Sequence, residues 1–248
     1  MYLPTEIKKF IGECNIENYS TSKNAETFYI KKEDGYFLKI ADKDTLQKEA
    51  KKTKILYKYG LSANFEVYIS EEKDYLITKK IQGESGISKK YLQDPTKLVK
   101  IYATTLRKFH EIKTNEIKEN TIEPLIEKAI LNPNAEGYTY LLKEVNINSI
   151  SEAIEEIKRL KNKVKYNVLV HGDYCLPNII LDDWKVSGII DVGETGVGDR
   201  HFDIFWALWS LNYNLKTKKY NDLFLDTYGR DLIDLDVLKL MTLINALL

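Results

Sequence analysis

The densest run of polar chemistry in this 248-residue chain is His171-Gly172-Asp173-Tyr174-Cys175-Leu176-Pro177-Asn178, which opens directly after the apolar Val168-Leu169-Val170. A second run, Ile190-Asp191-Val192-Gly193, closes another apolar stretch. Asp173, Asn178 and Asp191 are therefore expected at the ends of neighbouring strands, where they could converge. Phosphoryl transfer needs such a set. One carboxylate orients the attacking hydroxyl or accepts its proton, while an amide and a second carboxylate hold Mg2+ against a triphosphate. A lone Asp in a turn is more often a cap or an Asx turn, and a lone His171 reads as a structural hydrogen-bonder. The ordered pair of patterns, H-G-D-x-x-x-x-N and then I-D-x-G, each flanked by strands, favours the chemical reading.

The elements that must position these residues fall into two groups. Thr27–Ile30 and Tyr36–Ile40 flank an Asp34-Gly35 turn and predict a hairpin. Leu46, Ala50, Ile55 and Tyr59 recur at helical spacing and predict a helix over 44–59, ended by Gly60. Strands follow near 66–70 and 74–79, giving an antiparallel sheet with one helix inserted. After Gly83 the pattern turns helical. Asp94-Pro95 starts a helix, Asn132-Pro133-Asn134 interrupts the helices of 115–165, and Ser151 is expected to cap 152–160. Short strands are expected at 168–170, 179–181 and 186–190, then helices from Asp203 to Leu248. The fold class read from this order is α+β, with a small β-rich lobe over 1–83 and a larger helical lobe over 84–248.

Lys+Arg and Asp+Glu are 37 each, so the formal charge is zero, with 44% hydrophobic and 30% charged residues. That composition excludes a polybasic nucleic-acid binder and a disordered acidic chain. No apolar run reaches the ~20 residues of a membrane span, and the N-terminal residues do not resemble a signal peptide. Two cysteines, Cys14 and Cys175, make no disulfide framework, so a reducing cytoplasm is expected. Residues 1–110 carry 21 basic and 15 acidic side chains, a balance of +6, and the remainder carries −6. This split suggests a chain polarised for an anionic ligand at one end and a cationic one at the other.

The segment HGDYCLPNIILDDWKVSGIIDVGETGVGDRHFDI resembles the catalytic segment of the aminoglycoside phosphotransferases, especially the 3′-phosphotransferase branch. The resemblance implies a protein-kinase-like two-lobed fold and ATP-dependent transfer to a small-molecule hydroxyl, with GTP as the alternative donor. It implies that Asp173 is the catalytic base, that Asn178 and Asp191 bind Mg2+, and that His171 and Asp203 support the loop. Lys39 then resembles the lysine on the α- and β-phosphates and Glu49 its ion-pair partner. The Tyr19–Asn24 turn, through Ser22, stands where backbone N–H groups would cover the phosphates. Ile77–Gly83 resembles the hinge, with the main chain around Lys79 and Ile81 meeting the adenine edge behind Thr78. His110 reads as structural, while His201 and Cys175 receive no role.

The acceptor side departs from the family's pattern. Asn245 and Ala246 fall where an acidic pair is expected, Leu176 replaces an acidic residue of some relatives, and Tyr213-Asn214 stand near another expected pair. The terminal carboxylate of Leu248 is left as a contributor to the substrate site. The acceptor is expected to be cationic, an aminoglycoside first, with another antibiotic, a choline-like compound or a sugar metabolite as alternatives. A non-catalytic nucleotide-binding module and a metallohydrolase built on His171, Asp173, Asp191 and His201 are the competing classes.

Overall fold

A computed structural model describes residues 2–20, 24–134 and 138–248. In chain order the helices are α1 (Thr5–Ile11), α2 (Gln47–Tyr57), α3 (Lys89–Leu92), α4 (Pro95–His110), α5 (Glu123–Leu131), α6 (Tyr140–Glu144), α7 (Ile150–Leu160), α8 (Arg200–Leu215), α9 (Asn221–Tyr228) and α10 (Leu235–Ala246). The strands are β1 (Ile16–Asn18), β2 (Ala25–Ile30), β3 (Tyr36–Asp42), β4 (Phe65–Ser70), β5 (Lys73–Lys79), β6 (Glu84–Ser85), β7 (Val168–Val170), β8 (Ile179–Asp182), β9 (Lys185–Ile189) and β10 (Gly196–Gly198). They gather into two compact units, Met1–Glu84 with Ile179–Glu194, and Ser85–Asn178 with Thr195–Leu248. Residues 179–194, read from sequence as part of a continuous lobe over 84–248, cluster with the N-terminal residues instead.

The first unit is built on a five-stranded antiparallel sheet in the order β1-β2-β3-β5-β4. The expected hairpin forms between β2 and β3, closed by Gly35 at φ +100°, a backbone state that a side chain would strain. Strand alternation sorts β3. Tyr36, Leu38 and Ile40 are buried on one face with Ile7, Ile30 and Ile77, which leaves Phe37 and Lys39 on the other. Helix α2 begins later than its periodicity suggests, because Asp44 is left-handed (φ +66°) and residues 43–46 form a turn. The Leu46 N–H is taken up there by Asp74 Oδ2 at 2.8 Å. The β8–β9 hairpin turns through Asp183 and Trp184, both left-handed, as a two-residue primed turn requires. It is tied into this unit by Ile189 N–H donating to the Leu61 carbonyl (2.7 Å) and Lys52 Nζ donating to the Gly193 carbonyl (2.7 Å). At Gly83 (φ +116°) a Cβ would run into the Leu181 carbonyl, so only glycine fits the strand end that meets this hairpin.

The second unit packs helices around an apolar core that includes Ile157 of α7, Phe202 of α8 and Leu240 and Ile244 of α10. Asp94 caps α4, accepting the Lys97 N–H at 3.0 Å with Pro95 behind it, as expected. The cap of α7 is Ser149 and not Ser151. Ser149 Oγ accepts the Glu152 N–H (3.1 Å) while Glu152 Oε2 reaches back to the Asn148 N–H (2.9 Å). This is close to a reciprocal capping box, and it places Ser151 inside the first turn. Strand β7 pairs with β10 and not with β8 or β9, so the three strands expected as neighbours belong to two sheets. Among the described residues, no helix is long and apolar enough to cross a membrane.

The charge split of the sequence does not follow these units. The first holds 16 basic and 18 acidic side chains, a balance of −2, and the second 21 and 19, a balance of +2. The basic excess of residues 1–110 comes mostly from 85–110, in the helical unit.

Candidate active site

In the first unit, Lys39 rises from the middle of β3, opposite Thr27 of β2 and Leu76 of β5. Its ammonium is gripped by Glu49, in the first turn of α2, at 2.8 and 3.1 Å, and by Asp191 Oδ1 at 3.0 Å. Burial alone would lower the Lys39 pKa, but the Glu49 and Asp191 carboxylates outweigh it and hold the pKa above its ordinary value. Lys39 therefore stays cationic. Asp191 sits in left-handed backbone (φ +56°) with its side chain half exposed.

Lys39, Glu49 and Asp191 line a cavity of about 290 Å3 together with Phe37, Leu76, Ile180, Ile189 and Val192. An apolar slot with a few convergent polar groups suits a flat heterocycle carrying charge at one side. Thr78, Lys79 and Ile81 line the slot. The Lys79 N–H, however, is spent on the Asn64 carbonyl at 2.9 Å, whereas the Ile81 N–H meets no acceptor among the described residues. Ser22 lies outside the described residues. Tyr19, from the turn expected to cover the phosphates, also lines the cavity, and so does Phe37, to which sequence reasoning assigned no role. Phe37 was within reach of it, because a residue two before Lys39 on a strand shares its face.

In the second unit, β7 leads into the Asp173 loop. The buried Asp203 of α8 accepts the N–H of His171 (2.7 Å) on Oδ2 and that of Gly172 (2.9 Å) on Oδ1. His110, at the end of α4, bonds Asp203 Oδ2 through Nε2 (3.0 Å), and its Nδ1 meets the Tyr228 hydroxyl at 2.7 Å. Burial lowers the His110 pKa despite Asp203, and it pushes the Tyr228 phenol up to about 12. Both therefore stay neutral. The Tyr228 O–H donates to His110, His110 donates to Asp203, and Asp203 holds the loop backbone. His171 and Asp203 stand where supports of the loop would stand.

Past the turn, Asn178 Nδ2 donates to the Asp173 carbonyl and to Asp173 Oδ2, each at 3.0 Å. That fixes the amide so that its Oδ1 remains as the acceptor. Tyr174 and Tyr102 are stacked 4.7 Å apart, and each hydroxyl donates to the other's carbonyl. Ser210 Oγ of α8 accepts the Leu176 N–H at 2.9 Å. Cys175 is buried, and that burial pushes its thiol pKa up, which keeps it unreactive.

The metallohydrolase reading loses its second histidine. His201 Nδ1 donates to Asp199 (2.6 Å), and Nε2 accepts the Asp234 N–H (2.8 Å) at the cap of α10. No cluster of three or more His, Cys, Asp or Glu suited to a metal occurs among the described residues.

The acceptor-side expectations resolve differently. Asn245 and Ala246 are buried, the Asn245 amide donating to the Met241 carbonyl within α10, so neither position faces a ligand. Leu176 is likewise fully buried. Leu248 packs partly buried against the helical core, its carbonyl oxygen 3.4 Å from Asn134 Nδ2. Tyr213, by contrast, is exposed and lines a cavity of the helical unit with Tyr140 and Trp209.

A profile of the phosphotransferase enzyme family matches residues 17–240. The probable aminoglycoside 3′-phosphotransferase of Lactococcus lactis subsp. lactis (strain IL1403) is 40% identical over 244 residues, 96% of this chain and 92% of that protein. The aminoglycoside 3′-phosphotransferase of Niallia circulans is 34% identical over 169 residues, 66% of this chain and 63% of that protein. Among solved structures, the aminoglycoside-3′-phosphotransferase of type VIII superposes with a TM-score of 0.75 at 21% identity, covering 97% of this chain and 96% of its own. An aminoglycoside phosphotransferase from Streptomyces rimosus, in complex with ADP and streptomycin, gives 0.69 at 18% identity, covering 96% of each chain.

Proposed function

The chain belongs to the phosphotransferase enzyme family and is a small-molecule kinase of the aminoglycoside phosphotransferase type; on that premise we propose how its residues perform the transfer. The donor is ATP, and the acceptor is a hydroxyl of an aminoglycoside, a cationic small molecule. The observation that carries the nucleotide half is the Lys39 ammonium, held between Glu49 and Asp191 in the lining of a largely apolar slot.

The adenine lies in that slot between Phe37 and the isoleucines of β8 and β9. The free Ile81 N–H and the Lys79 carbonyl are the groups for its edge, since the Lys79 N–H is already committed. Lys39 binds the phosphates, and Glu49 keeps it aimed. Asn178 Oδ1 and the Asp191 carboxylate are the groups that would hold Mg2+, which would supply charge neutralisation of the phosphates. The Asp173 carboxylate orients the acceptor hydroxyl and takes its proton as the new O–P bond forms and the bond to ADP breaks. Asp203 and His171 hold that carboxylate's loop in place, so most of the rate comes from alignment and charge. Two free cysteines, one of them buried, suit the reducing cytoplasm in which we place the enzyme.

The test is ADP release with ATP and Mg2+ against a panel of aminoglycosides, macrolides and small alcohols. Aminoglycoside-dependent ADP release that vanishes in Asp173→Ala, with nucleotide binding retained, is the expected result. No acceptor-dependent ADP from any compound, or full activity in Asp173→Ala, would refute the assignment.

A further inference from the structure

Helix α2 carries four lysines, and burial sorts them. Lys48, Lys51 and Lys54 are exposed, whereas Lys52 keeps only 4% of its surface. A buried ammonium loses its hydration and must be answered by protein acceptors. The Lys52 Nζ donates to the Gly193 carbonyl at 2.7 Å, and a charged donor makes such a bond about twice as strong as a neutral one. Lys52 stands three residues after Glu49, so the two share a face of the helix. From that face Glu49 reaches Lys39, and Gly193 packs against Glu49, whose Cβ would lie 3.5 Å from a Cβ built on the glycine. Gly193 is two residues past Asp191. Asp191 is left-handed (φ +56°), a state that is uncommon for a residue with a Cβ and that the surroundings must hold. Its half-exposed side chain has little packing around it and reaches Lys39 Nζ at 3.0 Å. The backbone is anchored on both sides instead. Two residues before, the Ile189 N–H donates to the Leu61 carbonyl at 2.7 Å, and two residues after, Lys52 holds Gly193.

We propose that Lys52 is a positioning residue of the nucleotide site: by fixing the Gly193 carbonyl it holds Asp191 in its left-handed turn and keeps the carboxylate aimed beside Lys39. This rests on the roles proposed above for Lys39 and Asp191 and adds what aims the second of them. One face of α2 then sets both partners of Lys39, Glu49 directly and Asp191 through the loop backbone. A change that lets the Gly193 carbonyl go frees the Asp191 carboxylate to swing, while the Lys39–Glu49 pair stays in place. The cost should therefore fall on the steps that need the Asp191 carboxylate and spare those that need only the slot and Lys39.

The experiment compares the wild type with Lys52→Met, Lys52→Arg and, as an exposed neighbour, Lys51→Met. Calorimetry gives the Kd for ATP in EDTA and in Mg2+, and rate assays with kanamycin give kcat and the Mg2+ concentration for half-maximal rate. Lys52→Met keeps the apolar stem and removes the donor. It is expected to leave ATP binding in EDTA within about twofold, to raise the half-maximal Mg2+ concentration about tenfold or more, and to lower kcat by about 10- to 100-fold. Lys52→Arg, which keeps a charged donor, should recover most of both losses, and Lys51→Met should match the wild type. In an Asp191→Asn background, adding Lys52→Met should weaken ATP binding in Mg2+ by less than about twofold further, because the carboxylate it positions is gone. A Lys52→Met protein that melts earlier but keeps the wild-type Mg2+ dependence and kcat overturns the inference, and so do equal losses in both backgrounds. If Lys52→Met does not fold, Lys52→Gln, whose amide is one bond shorter, is judged by the same criteria. Failure of the underlying reading shows itself separately, as a wild type whose ATP binding Mg2+ does not strengthen and which releases no acceptor-dependent ADP; that result removes both.

Discussion

Lys39 shows how a single side chain is prepared for its partner. A lysine on a strand face would be mobile and hydrated, and here two carboxylates fix its ammonium and raise its pKa, against a burial that would lower it. A raised lysine pKa contributes stability that is fully present below the ordinary value of 10.5 and is lost only as pH rises through the folded value. Lys39 should therefore add no pH dependence to kcat/KM between pH 7 and 9.5, which a pH–rate profile measures. Removing its guide should matter more. Glu49→Gln is expected to lower kcat/KM for ATP by about 10- to 100-fold, mostly through KM, because one oriented charge contact is lost. Lys39→Met should cost about 10²–10³-fold in the same assay. At this scale the sequence was readable. The resemblance, with their order on a strand and the following helix, pointed to Lys39 and Glu49, which the structure pairs at 2.8 Å, and the ordered motif pointed to Asp173, Asn178 and Asp191. Phe37 was within reach of the strand alternation, whereas the Ile81 N–H, without an acceptor among the described residues, needed the backbone hydrogen bonds to be seen.

The helices show where sequence spacing has a competitor. Ser151 stands immediately before Glu152 and looks like its cap, but Ser149 has extended backbone (φ −147°, ψ 158°) and a Glu three residues on. Ser149→Ala should cost about 1 kcal/mol and lower the melting temperature by a few degrees, while Ser151→Ala should be nearly silent. Equal losses from both would contradict the assignment. Helix α7 is also clamped to α10. Glu156 receives Arg159 at 2.7 Å and Lys239 at 2.8 Å, and these hydrogen bonds, Arg159 first, lower its pKa from 4.5 to about 2. A lowered carboxylate pKa gives stability that is present above 4.5 and lost as pH falls towards 2. The clamp is near the surface, so Glu156→Gln is expected to cost about 1 kcal/mol at neutral pH. It should also flatten the loss of stability between pH 4.5 and 2 in denaturant titrations. Strand pairing was the least legible feature. β10 is Gly196-Val197-Gly198, a strand with no alternating apolar pattern, and its pairing with β7 removed β7 from the sheet expected of it.

For the whole molecule, the charge imbalance along the sequence invited a reading that the three-dimensional grouping removes. On the proposed reading the anionic nucleotide falls to the unit with balance −2, so its attraction would come from local groups such as Lys39 and not from a general field. A direct check follows. Raising NaCl from 50 to 300 mM should weaken ATP binding in the wild type only modestly, by less than about fivefold, as read by calorimetry. Ligand binding should in turn stabilise the fold. At about 100 times Kd, ATP adds roughly 2.7 kcal/mol, a melting shift of several degrees. A chain ending at Glu84 should show no such shift, because it lacks Ile180, Ile189 and Asp191.

The discontinuity of the first unit also sets an order of events during synthesis. Its sheet emerges early, but the hairpin of residues 179–194 arrives only after the 94 residues from 85 to 178 have been added. At ribosomal speed that is a delay on the order of ten seconds. During it, the face of β3 bearing Phe37 and Lys39 has no floor beneath it, and Lys39 has no Asp191. The nascent sheet must remain soluble with that apolar face uncovered, and polar lining residues such as Lys39, Glu49, Thr53 and Thr78 are its local protection there. The nucleotide slot is therefore a late product of translation, completed by a segment that is borrowed back from the middle of the other unit.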